Sequence, residues 1–211
     1  MYKYHKIETM YLRDMVGTKK LIPGAFRDET VEFLQDVTWQ FTEKIDGTNI
    51  GIYWDGHKVH FQGRTEKAQI PVHLLDRLME LFGGEQNEQI FEQTFGDNEV
   101  VLFGEGYGAK IQNGGAYLDH ADFILFDVYI PQSDLYLKRP DVEEIAKAFG
   151  IDVVPVVLEG TIKEAEDYIK GHPKSTIGTA DMEGVVGRPK IEMKDRRGNR
   201  IIVKIKYEDF K

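Results

Sequence analysis

The stretch Glu43-Lys44-Ile45-Asp46-Gly47-Thr48-Asn49 joins two runs of β-forming residues, and the organisation of the chain can be worked out from it. Residues 39–64 are typical of strands, with Asp55-Gly56 as a hairpin signal. A lysine held at a strand end, before an acidic residue and a glycine that lets a ligand approach the backbone, suits a lysine nucleophile. The other interpretation is a hairpin turn with an exposed lysine, and this stretch alone does not distinguish the two.

A second pair of lysines lies near the end of the chain, in Ile201-Ile202-Val203-Lys204-Ile205-Lys206. Strand alternation places Lys204 and Lys206 on one face. One interpretation is an amphipathic edge strand that shows two lysines to water. The other is that the two ammonium groups bind a triphosphate and lower the pKa of a third lysine nearby, so that its neutral amine can react.

Two carboxylates accompany apolar strands. Asp127 lies within the strand-like run from Phe123 to Ile130, which is either a core strand or a strand that presents Phe126 as a stacking platform for a base. Glu183 comes directly before the apolar strand that begins at Gly184. It is either a surface residue or, at a strand end, a ligand for Mg²⁺ or part of a phosphate site.

Composition excludes several classes of protein. The 211 residues, 41% of them hydrophobic, can bury a sizeable core in one domain. The absence of cysteine excludes disulfides, thiolate zinc sites and thiol nucleophiles. The first residues carry no signal-peptide pattern, and the apolar runs are too short to cross a bilayer. We therefore expect a cytoplasmic protein without a membrane partner. A phage or virus is one expected origin of the sequence.

The charge is distributed unevenly along the chain. The net charge of -9 argues against a nucleic-acid partner, but residues 186–211 hold 9 Lys and Arg against 4 Asp and Glu. This basic segment is either a solvated face or a strip that binds a polyanion.

Between these motifs the chain mixes hairpins with helices, which predicts an α+β fold with largely antiparallel sheets. Helices are expected at 71–82, 88–95 and 141–149, and after a capping box formed by Thr161 and Glu164. Further strands are expected at 100–103, 123–130, 184–187, 191–194 and 201–205.

Six motifs in order resemble those of the covalent nucleotidyltransferases, the superfamily of polynucleotide ligases and mRNA capping enzymes. They are Lys44-Ile45-Asp46-Gly47, Arg64, Glu105, Phe126-Asp127, Glu183-Gly184 and Lys204-Ile205-Lys206. The segment 106–112 is similar to RNA ligases in particular, so the chain most resembles the phage-type, nick-sealing ATP-dependent RNA ligases. The resemblance implies a single nucleotidyltransferase domain over residues 1–211, ATP-grasp-like, with flanking helices and no OB domain.

The resemblance also implies roles for individual residues. Lys44 would attack the α-phosphate of ATP and become lysyl-AMP, while Lys204 and Lys206 stabilise the charge on that phosphate. Glu183 would hold Mg²⁺ or Mn²⁺. Arg64 and Glu105 would contact the ribose. The implied nucleotide-binding residues are Glu43 (through its backbone, to the base), Lys44, Asp46, Gly47, Asn49, Arg64, Glu105, Phe126 (stacked on adenine), Lys204 and Lys206.

The resemblance finally implies a substrate. AMP would pass to a 5′-phosphorylated RNA end, and a 3′-hydroxyl would displace it to seal the strand. We expect a monomer, with a partner protein as one source of RNA affinity because the chain is acidic. The alternatives are an mRNA-capping-type guanylyltransferase, a minimal DNA ligase, and a non-catalytic module that binds nucleotides or RNA ends.

Overall fold

The computed structural model describes residues 2–65 and 67–211, which form two larger sheets, a two-stranded sheet and several helices. The strands are β1 (Glu8–Thr9), β2 (Tyr11–Arg13), β3 (Leu21–Phe26), β4 (Trp39–Lys44), β5 (Thr48–Trp54), β6 (Val59–Gly63), β7 (Val100–Gly108), β8 (Ala121–Ile130), β9 (Leu135–Tyr136), β10 (Asp152–Val153), β11 (Val156–Gly160), β12 (Gly184–Pro189) and β13 (Val203–Lys206). The α-helices are α1 (Glu29–Phe33), α2 (Val72–Phe82), α3 (Glu85–Phe95), α4 (Arg139–Phe149) and α5 (Ile162–Lys170). The expected α+β class is confirmed.

These elements divide into two compact units. The first unit comprises the described residues of Met1–His5 and Asp46–Val154, and the second comprises Lys6–Ile45 and Pro155–Lys211. The expectation of one nucleotidyltransferase domain over the whole chain stays a prediction.

The first unit is built on a six-stranded sheet with the order β10-β8-β7-β5-β6, to which β9 adds by pairing with β8. All pairings are antiparallel except that of β10 with β8. One face of the sheet packs on α2, α3 and α4, because these helices bury apolar stripes that include Leu78, Phe91 and Ile145. The opposite face therefore carries the alternate residues of β5, β7 and β8, where the candidate nucleotide-binding residues lie.

The second unit contains a five-stranded sheet with the order β1-β13-β12-β4-β11. Its strands pair antiparallel except β1 with β13. Trp39, Phe41, Val185 and Ile205 point from one face into a core closed by α5. The expected capping box begins that helix, since Thr161 and Glu164 each bond the other's backbone.

Two local expectations differ from the structure. Helix α3 begins at Glu85 rather than Glu88, because Gly84, with a φ of 81°, turns the chain directly into the first helical turn. No strand forms over 191–194, where only a single bridge joins Lys194 to Arg200. Ile191 and Met193 are exposed, so no apolar face holds this segment against a sheet, and the last strand begins at Val203 rather than Ile201.

Across residues 2–65 and 67–211, none of the helices combines the length and apolar character that a membrane crossing requires.

Candidate active site

Lys44 is the last residue of β4, and its position follows from the pattern of that strand. Trp39, Phe41 and Glu43 are buried on one face, whereas Gln40, Thr42 and Lys44 lie half-buried on the other. The Lys44 side chain is 26% exposed. The core therefore holds the backbone rigidly while the ammonium group reaches out of the opposite face.

Lys44 and Lys206 lie opposite the same residue, Gly184, on the two strands that neighbour β12. Gly184 starts the central strand β12, and it is paired with Lys44 on one side and Lys206 on the other. A Cβ atom at this position would lie 2.1 Å from the carbonyl oxygen of Ile205, so only glycine fits. Lys204 pairs with Val186, two residues further along, and shares the face of Lys206.

The carboxylate of Glu183 connects the two flanking lysines. One oxygen lies 2.6 Å from the Nζ of Lys44, and the other lies 2.8 Å from the Nζ of Lys206. Lys206 also pairs with Glu208 at 2.8 Å. Hydrogen bonds between charged groups are strong and directional, so the Glu183 carboxylate holds the two ammonium groups in a defined geometry.

The pKa values of Lys204 and Lys206 are shifted in opposite directions. Burial, followed by the positive charges of Lys206 and Lys44, lowers the pKa of Lys204. Burial acts in the same direction on Lys206, but the hydrogen bonds to Glu183 and Glu208 raise the pKa of Lys206 overall. Three lysines against two carboxylates leave a formal charge of +1, which attracts phosphate.

The side chain of Glu43 is held by hydrogen bonds in the core of the second unit. It is buried, and it accepts hydrogen bonds from the Thr176 amide at 2.9 Å, the Thr176 hydroxyl at 2.6 Å and the Ser175 hydroxyl. The Glu43 amide donates to the carbonyl of Pro155 at 2.9 Å. The predicted role of Glu43 concerns its backbone, and that role stays a prediction.

In the first unit, the residues that follow Lys44 in the chain lie against β7. Asn49 is paired with Glu105, and a Cβ atom on Gly47 would lie 2.3 Å from the carbonyl oxygen of Gly106. The amide of Asp46 donates to the hydroxyl of Tyr117 at 3.2 Å. The expected glycine therefore has a steric reason, since it lets β5 enter the sheet directly beside the Glu105 strand.

Arg64 directly follows strand β6 of this sheet, and Phe126 lies in β8. Arg64 is exposed and directly follows Gly63, which is paired with Ile50. Phe126 is half-buried in β8, at a bulge in the pairing with β7. Neither position contradicts the roles expected for these side chains, and the roles stay predictions.

Several contacts of the site were not evident from the sequence. Tyr4 bonds Asp127, Tyr117 bonds Asp46, and Glu208 pairs with Lys206. Only Glu208 had a local signal, because it follows Lys206 by two residues. The partners of Tyr4 and Tyr117 depend on pairings made across the sheet.

Comparison with known proteins decides the family. The model of the RNA ligase family matches residues 37–206, which is most of the chain. The chain belongs to the RNA ligase family. No curated protein matches the sequence.

Solved structures of RNA ligase share the fold. Two variants of the Naegleria gruberi RNA ligase with ATP and Mn, one lysine-to-alanine and one glutamate-to-alanine, align with TM-scores of 0.65 and 0.67 and identities of 17% and 19%. A lysine-to-methionine variant of that ligase with AMP and Mn aligns with a TM-score of 0.65 and 16% identity. The alignments cover 97–98% of this chain but only 56–62% of those chains.

Proposed function

We propose that the chain is an ATP-dependent RNA ligase in which Lys44 forms a covalent lysyl-AMP. The observation that carries this proposal is the cluster of Lys44, Glu183 and Lys206, in which one carboxylate joins a strand-end lysine to a second ammonium group. Membership of the RNA ligase family supports the same chemistry.

In the first step, the Nζ of Lys44 attacks the α-phosphorus of ATP, the bond to the β-phosphate breaks, and pyrophosphate leaves. An amine attacks only through its lone pair, so Lys44 must first lose a proton. Glu183 is the carboxylate within hydrogen-bonding distance of that proton, at 2.6 Å. Lys204 and Lys206 face the charge that develops on the phosphate oxygens.

A divalent cation fits beside Glu183 only together with phosphate oxygens. Among the described residues, no group of three or more acidic or histidine side chains is arranged to hold a metal ion. Mg²⁺ and Mn²⁺ accept one or two carboxylates completed by substrate phosphates and water. We assign Glu183 as the residue that would hold the metal, which would neutralise phosphate charge during the transfer.

The first unit supplies the residues that we assign to the nucleoside. Phe126 stacks on adenine, and Glu105 and Arg64 contact the ribose. Asp46, Gly47 and Asn49, which follow Lys44 in the chain, also bind the nucleotide. Glu43 of the second unit is assigned to the base through its backbone. The half-buried ring of Phe126 and the pairing of Asn49 with Glu105 support these assignments.

The remaining two steps act on RNA. AMP moves from Lys44 to a 5′-phosphate, which creates a pyrophosphate-linked leaving group, and a 3′-hydroxyl then attacks the RNA phosphate and releases AMP. The basic residues of 188–200 are the candidates for contacts with RNA phosphates, because Arg196 and Arg197 are exposed.

Labelling tests the proposal directly. The protein is incubated with Mg²⁺ and ATP labelled at the α-phosphate, and the labelled protein band is measured. We expect label on the wild type and none on Lys44→Ala or Lys44→Arg, because a guanidinium stays protonated. Lys147→Ala, which removes an exposed lysine of α4, is the matched control and should label normally.

The outcomes distinguish the alternatives. Label retained on Lys44→Ala would overturn the assignment of the nucleophile. Label from GTP instead of ATP would indicate a guanylyltransferase, and faster sealing of DNA than of RNA ends would indicate a DNA ligase. Binding of ATP with no label on the wild type would indicate a non-catalytic module. A phosphoramidate bond should be labile to acid and stable to alkali.

A further inference from the structure

The strand that carries Phe126 contains a bulge that changes which side chains share a face. Phe103 of β7 is paired with Asp127, but the next residue, Gly104, is paired with Leu125, so Phe126 is the additional residue. Successive side chains of a regular strand point to opposite faces. Leu125 and Val128 both pack into the core beneath the helices, so the alternation slips by one residue between them. Phe126 and Asp127 consequently both point to the opposite face.

One residue of the N-terminal segment contacts both side chains. The hydroxyl of Tyr4 donates a hydrogen bond to Asp127 with an oxygen–oxygen distance of 2.7 Å. The ring of Tyr4 meets the ring of Phe126 with 4.9 Å between centroids and an interplanar angle of 71°. A second edge contact, at 5.1 Å, joins Tyr4 to Phe103. Tyr4 is thus held at one end by the carboxyl group of Asp127 and on its flanks by the rings of Phe103, Phe126, His5 and Tyr136.

The burial of Asp127 indicates that its hydrogen bond with Tyr4 serves to orient the Tyr4 side chain. Asp127 is 0% exposed, and a buried carboxylate adds less stability than an apolar residue of similar size. A short hydrogen bond to a buried carboxyl group does, however, hold its donor in one direction, and a ring packed edge-on has a preferred angle. Gly104 permits the bulge, since a Cβ atom there would lie 2.2 Å from the ring of Phe123.

We propose that Tyr4 is a positioning residue that holds Phe126 in the orientation needed to stack on the base of ATP, through its hydroxyl bond to Asp127 and its ring contact. The inference rests on the proposed function, in which Phe126 stacks on adenine. In this proposal Tyr4 acts through Phe126 and Asp127, the side chains that it contacts.

The test compares Tyr4→Phe with a matched variant from the same segment. Tyr4→Phe keeps the ring and loses the bond to Asp127. Tyr2→Phe loses an equivalent bond, from the Tyr2 hydroxyl to Glu99 at 3.2 Å, in a part of the sheet where Tyr2 contacts Tyr53 and Tyr129. The KM for ATP, the kcat of lysyl-AMP formation and the thermal midpoint are measured for each.

We expect Tyr4→Phe to raise the KM for ATP about fivefold and to leave kcat within about twofold of the wild type. The increase in KM should be smaller than the one caused by complete loss of base stacking. Inorganic tripolyphosphate, used as a competitive inhibitor, should inhibit this variant and the wild type equally because it lacks a base. Tyr2→Phe should leave all three values unchanged. Asp127→Asn, which keeps an oxygen acceptor for Tyr4, should stay closer to the wild type in KM than Tyr4→Phe.

The proposal is overturned if Tyr4→Phe has the KM of the wild type, if Tyr2→Phe raises KM equally, or if tripolyphosphate inhibition weakens in parallel with ATP. Should Tyr4→Phe fold poorly, Asp127→Asn and Asp127→Leu provide the same comparison, because only the first retains an acceptor. A wild type that takes no label from ATP would instead refute the proposed function, so the two failures are distinguishable.

Discussion

Phe126 provides the residue-scale test of the nucleotide site. We expect Phe126→Ala to weaken ATP capture by about 1–3 kcal/mol, the usual value of one stacked base. Sealing of pre-adenylylated RNA should fall less, because its AMP is already attached to the RNA. Phe33→Ala is the matched control, since the Phe33 side chain is 85% exposed in α1. Equal losses of Phe126→Ala in ATP labelling and in sealing would mean that Phe126 serves only in packing.

Glu183 and Glu208 form a second matched pair at this scale. Both accept a bond from Lys206 at 2.8 Å, but only Glu183 reaches Lys44. We expect Glu183→Gln to slow lysyl-AMP formation about 100-fold or more, as is typical when a preorganised group is removed from a reacting centre. Glu208→Gln should remain within about tenfold of the wild type. Single-turnover labelling rates measure the difference, and similar rates for the two variants would contradict the role of Glu183.

The residues of the site could be predicted where their signals are local. Lys204 and Lys206 follow from strand alternation, and Lys44 follows from a strand end before Asp46-Gly47. The pairing of Lys44 with Glu183 spans 139 residues, and only the resemblance to a family suggested that the two act together. The bulge at Phe126 and its contact with Tyr4 were not predictable, since neither leaves a periodic pattern in the sequence.

At the scale of elements, strand β12 fits between β4 and β13 because its first residue, Gly184, has no side chain. The 2.1 Å approach of a Cβ atom at position 184 to the Ile205 carbonyl would force β12 and β13 apart. We expect Gly184→Ala to lower the free energy of unfolding by about 1–3 kcal/mol, as for other overpacked positions. Gly115→Ala, which meets no atom within 4 Å, should be close to neutral. Urea unfolding of both variants makes the comparison, and equal midpoints would contradict it.

The contact between β2 and α5 makes stability depend on pH. The Glu166 carboxylate accepts a hydrogen bond from the hydroxyl of Tyr11 at 2.6 Å and pairs with Lys170. Burial alone would raise the pKa of Glu166, but Lys170 and Tyr11 together lower it below 4.5. The carboxylate therefore stabilises the fold above that pH, and this contribution is lost as the pH falls through the lowered pKa.

We accordingly expect Glu166→Gln to cost about 1–3 kcal/mol of unfolding free energy at pH 7, the range for hydrogen bonds to charged groups. The difference from the wild type should shrink as the pH falls through the lowered pKa of Glu166, where its carboxylate takes up a proton. Urea unfolding at pH 7 and at pH 3 measures it. A difference that does not change with pH would mean that the charge of Glu166 does not contribute.

The elements with strong periodic patterns were predicted well. Helix α2 and the capped start of α5 agree with the sequence, because an apolar stripe and a capping box are properties of neighbouring residues. The strands of 8–26 were missed, since β1 and β2 have two or three residues and β3 contains Pro23 and Gly24. The strand expected at 191–194 was wrong because its apolar residues have nothing to pack against.

At the scale of the whole molecule, the acidic net charge predicts a difference between the two kinds of step. We expect few phosphate contacts, supplied by the basic segment 186–211 because the rest of the chain is acidic. The log–log salt slope should therefore be shallow, at about -0.7 per phosphate neutralised on single strands. Raising the salt concentration should therefore suppress sealing of 5′-phosphorylated RNA well before it suppresses labelling by ATP, which needs no RNA.

Arg196→Ala/Arg197→Ala should shift only the sealing step, because both side chains are exposed in the basic segment. The control is Lys147→Ala/Lys163→Ala, which removes the same charge from exposed helix surfaces. A steep fall of ATP labelling with salt, or equal effects of the two double variants on sealing, would contradict the prediction.

The arrangement of the second unit has a consequence for the order in which the protein is synthesised. Strand β4 is translated well before β12, which pairs with it, and before β13, which pairs with β12. A nascent chain that stops before residue 183 holds Lys44 without Glu183, the carboxylate that pairs with its amine, and without Lys206, which binds the same carboxylate. Self-adenylylation should consequently be absent from prematurely terminated products that end before residue 183, so such fragments would not consume ATP without joining ends.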